Sequence, residues 1–347
     1  MMSRATDPAP TTSDELDRQL SAPDDAAIAA VQHCSGSFAV LGAGGKMGLH
    51  VCQMLRRALQ ALGREEPVFA ISRFASPQAT APFVRSGIEV IAADLSAPSV
   101  YAQLPSAANV VFLAGVKFGT ASSPELLQRM NVSMPEDVAE HFRHSRIVAL
   151  STGCVYPFTT PQSGGSTEDG PVDPPGDYAR SCLGREQAFI QASEKYQTPC
   201  ALVRLNYSVE LRYGVLVDIA QRVFAEQPVS VETGYVNVIW QRDAVSQIIR
   251  CLPLAASPPL VLNITGSEML SVRDLAERFA KAFDKPVALQ GTEAPTAWLS
   301  NNRRAVALFG EPQTDIETMI RWIAQWISQG GPSLDKPTHF ENRDGTF

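Results

Sequence analysis

Three glycines spaced three apart, Gly42, Gly45 and Gly48 in VLGAGGKMG, stand where an apolar run ends and a helical pattern begins. A glycine at the strand end permits a tight turn. One in the middle lets the backbone approach a pyrophosphate, and one in the helix lets it pack close to the sheet. The free N–H groups at the start of that helix carry partial positive charge and suit phosphates. The spacing therefore predicts a dinucleotide site, with Lys46 and Met47 in the same loop. The next apolar run ends in AISRF. An acid there would accept hydrogen bonds from the adenosine ribose hydroxyls and favour NAD, whereas an arginine accommodates a 2′-phosphate. Ser72 and Arg73 stand there without an acid. A guanidinium grips a phosphate through two parallel bonds, so the pair favours NADP, with NAD as the alternative. Asp94 and Leu95, closing the third run, are placed to contact the adenine.

These residues need a scaffold of strands and helices in alternation. The runs SFAVLG, PVFAIS, IEVIAAD, NVVFLAG and RIVALST are strand-length and apolar throughout, as strands buried on both faces must be. KMGLHVCQMLRRALQALG and SPELLQRMNVSMPEDVAEHFRHS lie between them with helical period. Such alternation predicts right-handed crossovers in an α/β, Rossmann-type doubly wound parallel sheet, with a smaller C-terminal α/β substrate domain. Residues 1–35, rich in Pro, Ser, Thr, Asp and Ala, read as a mobile tail with a short helix at 24–33. Residues 36–205 form the dinucleotide-binding part and 206–328 the substrate-binding segments, partly returning to the sheet. Residues 329–347 read as a C-terminal tail. Ser271 is an N-cap three residues before Asp274.

Composition narrows the classes. The 347 residues are 45% hydrophobic and 19% charged, ordinary for a globular protein. A net charge of -7 argues against nucleic acid or an anionic membrane as partner. No apolar run approaches the ~20 residues of a membrane helix, and the N-terminus lacks a signal pattern. Six scattered cysteines without a C-x-x-C pair read as reduced thiols in a cytoplasmic protein. The five histidines show no H-E-x-x-H spacing, and no metal site is expected.

The chain resembles the extended short-chain dehydrogenases/reductases, the NAD-dependent epimerase/dehydratase family, from about residue 37 to 328. The resemblance rests on the glycine motif at 42–48, Asp94-Leu95, FLAG at 112–115, Asn131, STGCVYP at 151–157, Glu168, and the helix from Tyr178 to Glu186. It extends through Asp243 and LNITGSEMLSVRDLAE. It implies a nicotinamide cofactor touched also by Ala114, Gly115 and Asn131, a small-molecule substrate and a homodimer. It also implies hydride transfer assisted by a hydroxyl, a tyrosine and a lysine. Thr152, three residues before the Val-Tyr pair, matches the hydroxyl donor, and Tyr178 the general acid/base.

One position departs from the pattern. The family's Tyr-x-x-x-Lys is followed four residues later by Glu, and Tyr178 and Glu186 fix that register, so Cys182 occupies the lysine position. The family's lysine lowers the tyrosine pKa and holds the nicotinamide ribose. A phenol with a pKa near ~10 is ionised only about one part in a thousand at pH 7. Three readings remain open: a cofactor-binding protein without catalysis, a relocated cation, or an enzyme working mainly as a reductase with tyrosine already protonated. Lys117 in LAGVKFG is the first candidate for a relocated cation, and Arg185, two turns beyond Tyr178, the second. No histidine stands near Cys182 in sequence to activate it as a nucleophile.

Family members acting on nucleotide-diphosphate sugars usually carry an arginine where Val236 stands here. Arg204, Asn206 and Tyr207, followed by Arg212 and Tyr213, are the polar groups expected near the substrate. A small, carbohydrate-like carbonyl or hydroxyl compound is favoured over a nucleotide sugar.

Overall fold

The computed structural model describes residues 8–116 and 123–343. Strands β1 (Phe38–Leu41), β2 (Val68–Ser72), β3 (Glu89–Ala92), β4 (Asn109–Phe112), β5 (Arg146–Thr152) and β6 (Cys200–Leu205) join Leu260–Ile264 in one seven-stranded sheet. The spatial order is Leu260–Ile264, β6, β5, β4, β1, β2, β3, and every pairing in it is parallel. The chain moves outward from β1 to β3, then crosses back to β4 on the other side of β1. Ligands in open parallel sheets bind at such a reversal, outside the carboxyl ends of the strands. Leu41 lies opposite both Ile71 and Phe112 there.

Helices α1 (Ser13–Leu20), α2 (Asp25–Gln32), α3 (Gly48–Ala61) and α4 (Pro77–Arg85) come first in the chain. One sheet face is packed by α3 through Val51, Cys52, Met54 and Leu55. The expected long helix between β4 and β5 is interrupted: α5 (Pro124–Gln128) and α6 (Met134–His141) flank a π turn at Arg129–Ser133. Helix α7 (Gly176–Tyr196) follows β5, and Phe189 packs edge-on against Phe112 on the other sheet face. A separate apolar core is built from α8 (Val215–Phe224), α10 (Val272–Phe283) and α11 (Ile316–Ser328), with Trp240 against Trp322. Helix α9 (Gln241–Arg250) packs instead with α2 and α3 in the sheet core. Ser271 caps α10 by accepting from Asp274 N.

Both ends of the chain differ from the sequence expectation. Residues 8–35 are not a free tail. Thr12 and Glu15 form a reciprocal capping box on α1. Leu16 and Leu20, four apart and so on one helix face, are fully buried in the C-terminal core. Asp17 accepts from Arg212 (2.8 Å) and pairs with His50 (3.0 Å), stitching α1 to both halves. At the other end, Phe340 is buried in the same core as Leu16. Thr338 donates to Asp218 Oδ2 through both its N–H and its hydroxyl. Burial of two leucines and one phenylalanine outweighs the polar composition of these segments.

Candidate functional site

The glycine loop takes its shape from backbone geometry. Gly42 has φ +83°, and a Cβ there would lie 2.6 Å from the Ala114 backbone. A Cβ at Gly48 would lie 2.1 Å from the Ala43 carbonyl oxygen. Both positions therefore exclude a side chain, and the loop holds open a trench along the switch point. The trench consists of two adjoining cavities that share Gly42, Gly45 and Leu113.

The smaller cavity, about 230 Å³, is walled by Ser72, Arg73, Asp94 and Leu95 on one side and by Ala114 and Gly115 on the other. Met130 and Met134, which no sequence motif marks, complete it. Arg73 is exposed at the end of β2. Ser96 donates to Asp94 through N–H and hydroxyl, which with the nearby Arg73 charge holds the Asp94 carboxyl below its ordinary value.

The larger cavity, about 320 Å³, brings Lys46, Met47 and Gly48 together with Thr152 and Tyr178. Asn206 and Tyr207 also line it. So do Cys154, Ser208, Tyr213, Gln241 and Thr338, contributed from separate stretches of chain. No sequence motif marks Gln241 or Thr338, whereas Tyr213 sits in the polar cluster after β6 that the sequence singled out. The Lys46 ammonium stands 2.9 Å from the centre of the Tyr213 ring.

Thr152 ends β5, and its Oγ1 accepts from Cys154 N (3.2 Å), which leaves its O–H available to another acceptor. Tyr178 sits in the first turn of α7, half-buried at the cavity wall. Its phenol is held well above the ordinary tyrosine value, first by burial, then by Cys182 and Cys154, with the Arg185 charge opposing. Cys182 does not reach the cavity. It is 0% exposed among Val155 and Tyr156, hydrogen-bonded to the Tyr178 side chain, and burial pushes its thiol up. Lys117, the expected relocated cation, lies outside the described residues.

Two expected ligand-binding residues face inward instead. Arg204 forms a two-pronged pair with Glu186, from Nε (3.0 Å) and Nη2 (2.8 Å), and donates to the Tyr156 hydroxyl. Ser151 donates to the same Glu186, and Tyr156 to Asn263. This buried network locks α7 to β5 and β6, so Arg204 supports the site from behind rather than lining the cavity. Its position near the end of an apolar strand reads as a ligand residue, because the partner Glu186 belongs to a different element. Asn131 is likewise fully buried. It donates to Val116 O and Ser181 Oγ, and its oxygen accepts from Val116 N and Arg185 Nη2. It joins the end of β4 to α7 rather than lining either cavity.

The glycine loop at a sheet reversal defines a Rossmann-type α/β fold, with a hydroxyl and a tyrosine across the trench. Residues 38–209 match the model of the NAD dependent epimerase/dehydratase family, and that stretch of the chain is a domain of the family. Among solved structures, Pal from Bacillus thuringiensis is similar at 18% identity and a TM-score of 0.70, over 84% of this chain and 99% of that one. UDP-glucose 4-epimerase from Thermus thermophilus, in complex with NAD, is 18% identical with a TM-score of 0.68, over 83% and 98%. UDP-glucuronic acid 4-epimerase from Bacillus cereus, with UDP-glucuronic acid and NAD, is 18% identical with a TM-score of 0.69, over 84% and 99%. No curated protein matches the sequence. No helix among the described residues is long and apolar enough to cross a membrane.

Proposed function

We propose that the chain binds a nicotinamide dinucleotide and transfers hydride to or from a small, carbohydrate-like carbonyl or hydroxyl compound, as an oxidoreductase or epimerase. The observation that carries this is one cavity wall shared by the glycine loop, Thr152 and Tyr178. The side-chain-free cradle at Gly42 and Gly48 fits a pyrophosphate. When bound, the nicotinamide supplies or takes the hydride at the substrate carbon. Thr152 donates its O–H to the substrate oxygen, and Tyr178 gives that oxygen a proton. Because burial keeps the Tyr178 phenol protonated at neutral pH, the site is prepared for reduction.

NADP is the form that Arg73 fits, with Ser72 beside it and no acid at the end of β2. NAD is the form named with the similar epimerases. The ratio of the two dissociation constants decides between them, and equal affinity would remove Arg73 from the account. For the substrate, Val236 is fully buried where a diphosphate-binding arginine is expected, and Lys46 is the cationic side chain lining the larger cavity. Both favour a compound smaller than the nucleotide sugars of the neighbours. A homodimer, implied by the family resemblance, and a cytoplasmic setting, consistent with six buried cysteines in no disulfide, belong to the same proposal.

Cys182 supports a second reading, a catalytically silent cofactor sensor, since an uncharged thiol replaces the family's lysine. Titration with NADPH and NADH, followed by a panel of small carbonyl compounds, separates the two. Tight binding with turnover supports the enzyme, tight binding without turnover supports the sensor, and no binding contradicts both.

A further inference from the structure

Arg185 is 7% exposed and belongs to the same helix as Tyr178. Side chains on a helix lean toward its N-terminus, so a long residue two turns along reaches back toward the opening turn. Its guanidinium lines neither cavity but lies buried directly behind residues that do. Nη1 donates to Leu150 O (3.0 Å), and Leu150 lines the larger cavity. A Cβ on Gly115, which lines the smaller one, would lie 2.2 Å from Nη2. Absence of a side chain at 115 is therefore what makes room for the guanidinium.

The arginine is also held in place by its surroundings. Nη2 donates to Asn131 Oδ1 (2.8 Å), and Asn131 is presented by the π turn at Arg129–Ser133. Such turns recur at functional sites. Phe112 lies under the guanidinium, 5.8 Å from ring centre to Cζ. Nε is buried and has no protein partner. A buried donor left unpaired is costly, so its retention calls for a reason. It therefore backs both cavities at once, through Leu150 in the larger and Gly115 in the smaller.

We propose that Arg185 supplies the positive charge at the tyrosine and the nicotinamide ribose that the family takes from a lysine at position 182. This rests on the cofactor-binding reading above. Among the described residues its charge acts on both Tyr178 and Cys182. A guanidinium stays charged at any working pH, so the substitution keeps the charge and gives up only a titratable ammonium. Cys182 is then free to be a small apolar filler.

The test is cofactor affinity, measured by tryptophan quenching alongside melting temperature, for Arg185→Gln, Arg185→Lys, and the double variant Arg185→Gln with Cys182→Lys. Arg185→Gln should weaken binding about tenfold, as loss of one charge-assisted contact does. Arg185→Lys should recover most of it, and the double variant should recover it by returning the lysine to its family place. Unchanged affinity in Arg185→Gln would overturn the proposal, as would a loss that Cys182→Lys does not repair. A loss in Lys117→Ala with none in Arg185→Gln would move the charge to the loop and also overturn it. Should Arg185→Gln not fold, Arg185→Met packs on Phe112 without an unpaired amide and carries the same test. Failure of the wild-type protein to bind either cofactor would instead defeat the reading beneath it.

Discussion

The glycine loop and the opening turns of α7 face one another across a single cavity, yet they keep the family pattern in different ways. The loop is constrained by backbone: Gly42 at φ +83° and Gly48 against the Ala43 carbonyl leave no space for a side chain. Helix α7 is constrained by charges and hydrogen bonds, which can be supplied from more than one place. Tyr178 and Glu186 hold the family register while Cys182 does not, and Arg185 backs Leu150 and Gly115, which line the two cavities. Shape requirements fix a residue at a position, whereas a charge requirement fixes only a location in space.

That contrast can be broken in stages. The largest effect is expected from Glu186→Ala, which leaves Arg204 buried without its carboxylate. Removing one partner of a buried pair typically costs about 3–5 kcal/mol, and urea unfolding measures it. A loss within ~0.5 kcal/mol, the range of ordinary surface changes, would mean that the network does not hold α7. Leu16→Ala removes a fully buried leucine of the C-terminal core. A cost of about 2–5 kcal/mol in the same measurement would show the N-terminal helix to be part of the core. Gly48→Ala should cost about 1–3 kcal/mol through overpacking and weaken cofactor binding beyond that, because the loop moves. Cofactor affinity equal to wild type would contradict the backbone account of the loop.

The smallest effect concerns pH. Burial raises the Asp218 carboxyl above its ordinary value, partly offset by the two bonds from Thr338. An acid raised in the folded state carries a cost when ionised. That cost is absent below its unfolded value, builds between the unfolded and the folded values, and is constant above the folded one. Wild type should therefore gain stability relative to Asp218→Asn as pH is lowered through the carboxylate range toward the ordinary aspartate value of about 4, read from urea midpoints. The opposite trend would show that the bonds to Thr338 outweigh burial.

Much of the sheet was legible because buried parallel strands leave apolar runs, and the glycine loop because three absent side chains are visible as letters. The fully buried face of α1 was hidden: two leucines four apart in a segment rich in Asp, Ser and Pro are a faint signal. Arg204 reads as a ligand residue because a polar side chain near the end of a strand resembles one until its partner 18 positions earlier is seen to face it. Thr338 was out of reach, since it joins the cavity wall through a tertiary bond to Asp218 that nothing in its local sequence announces. Helical distance alone places Arg185 behind Lys117 as a relocated cation, yet the length of its side chain and the gap at Gly115 bring it against residues that line both cavities.

The most direct test of the account is a single-turnover experiment. Protein loaded with reduced cofactor is mixed with small carbonyl compounds, and cofactor oxidation is followed for wild type and Tyr178→Phe. The account predicts oxidation with at least one carbonyl, slowed about 10²–10⁴-fold by the loss of the phenol. Oxidation at the same rate in Tyr178→Phe, or none in a wild type that holds the cofactor, would contradict it.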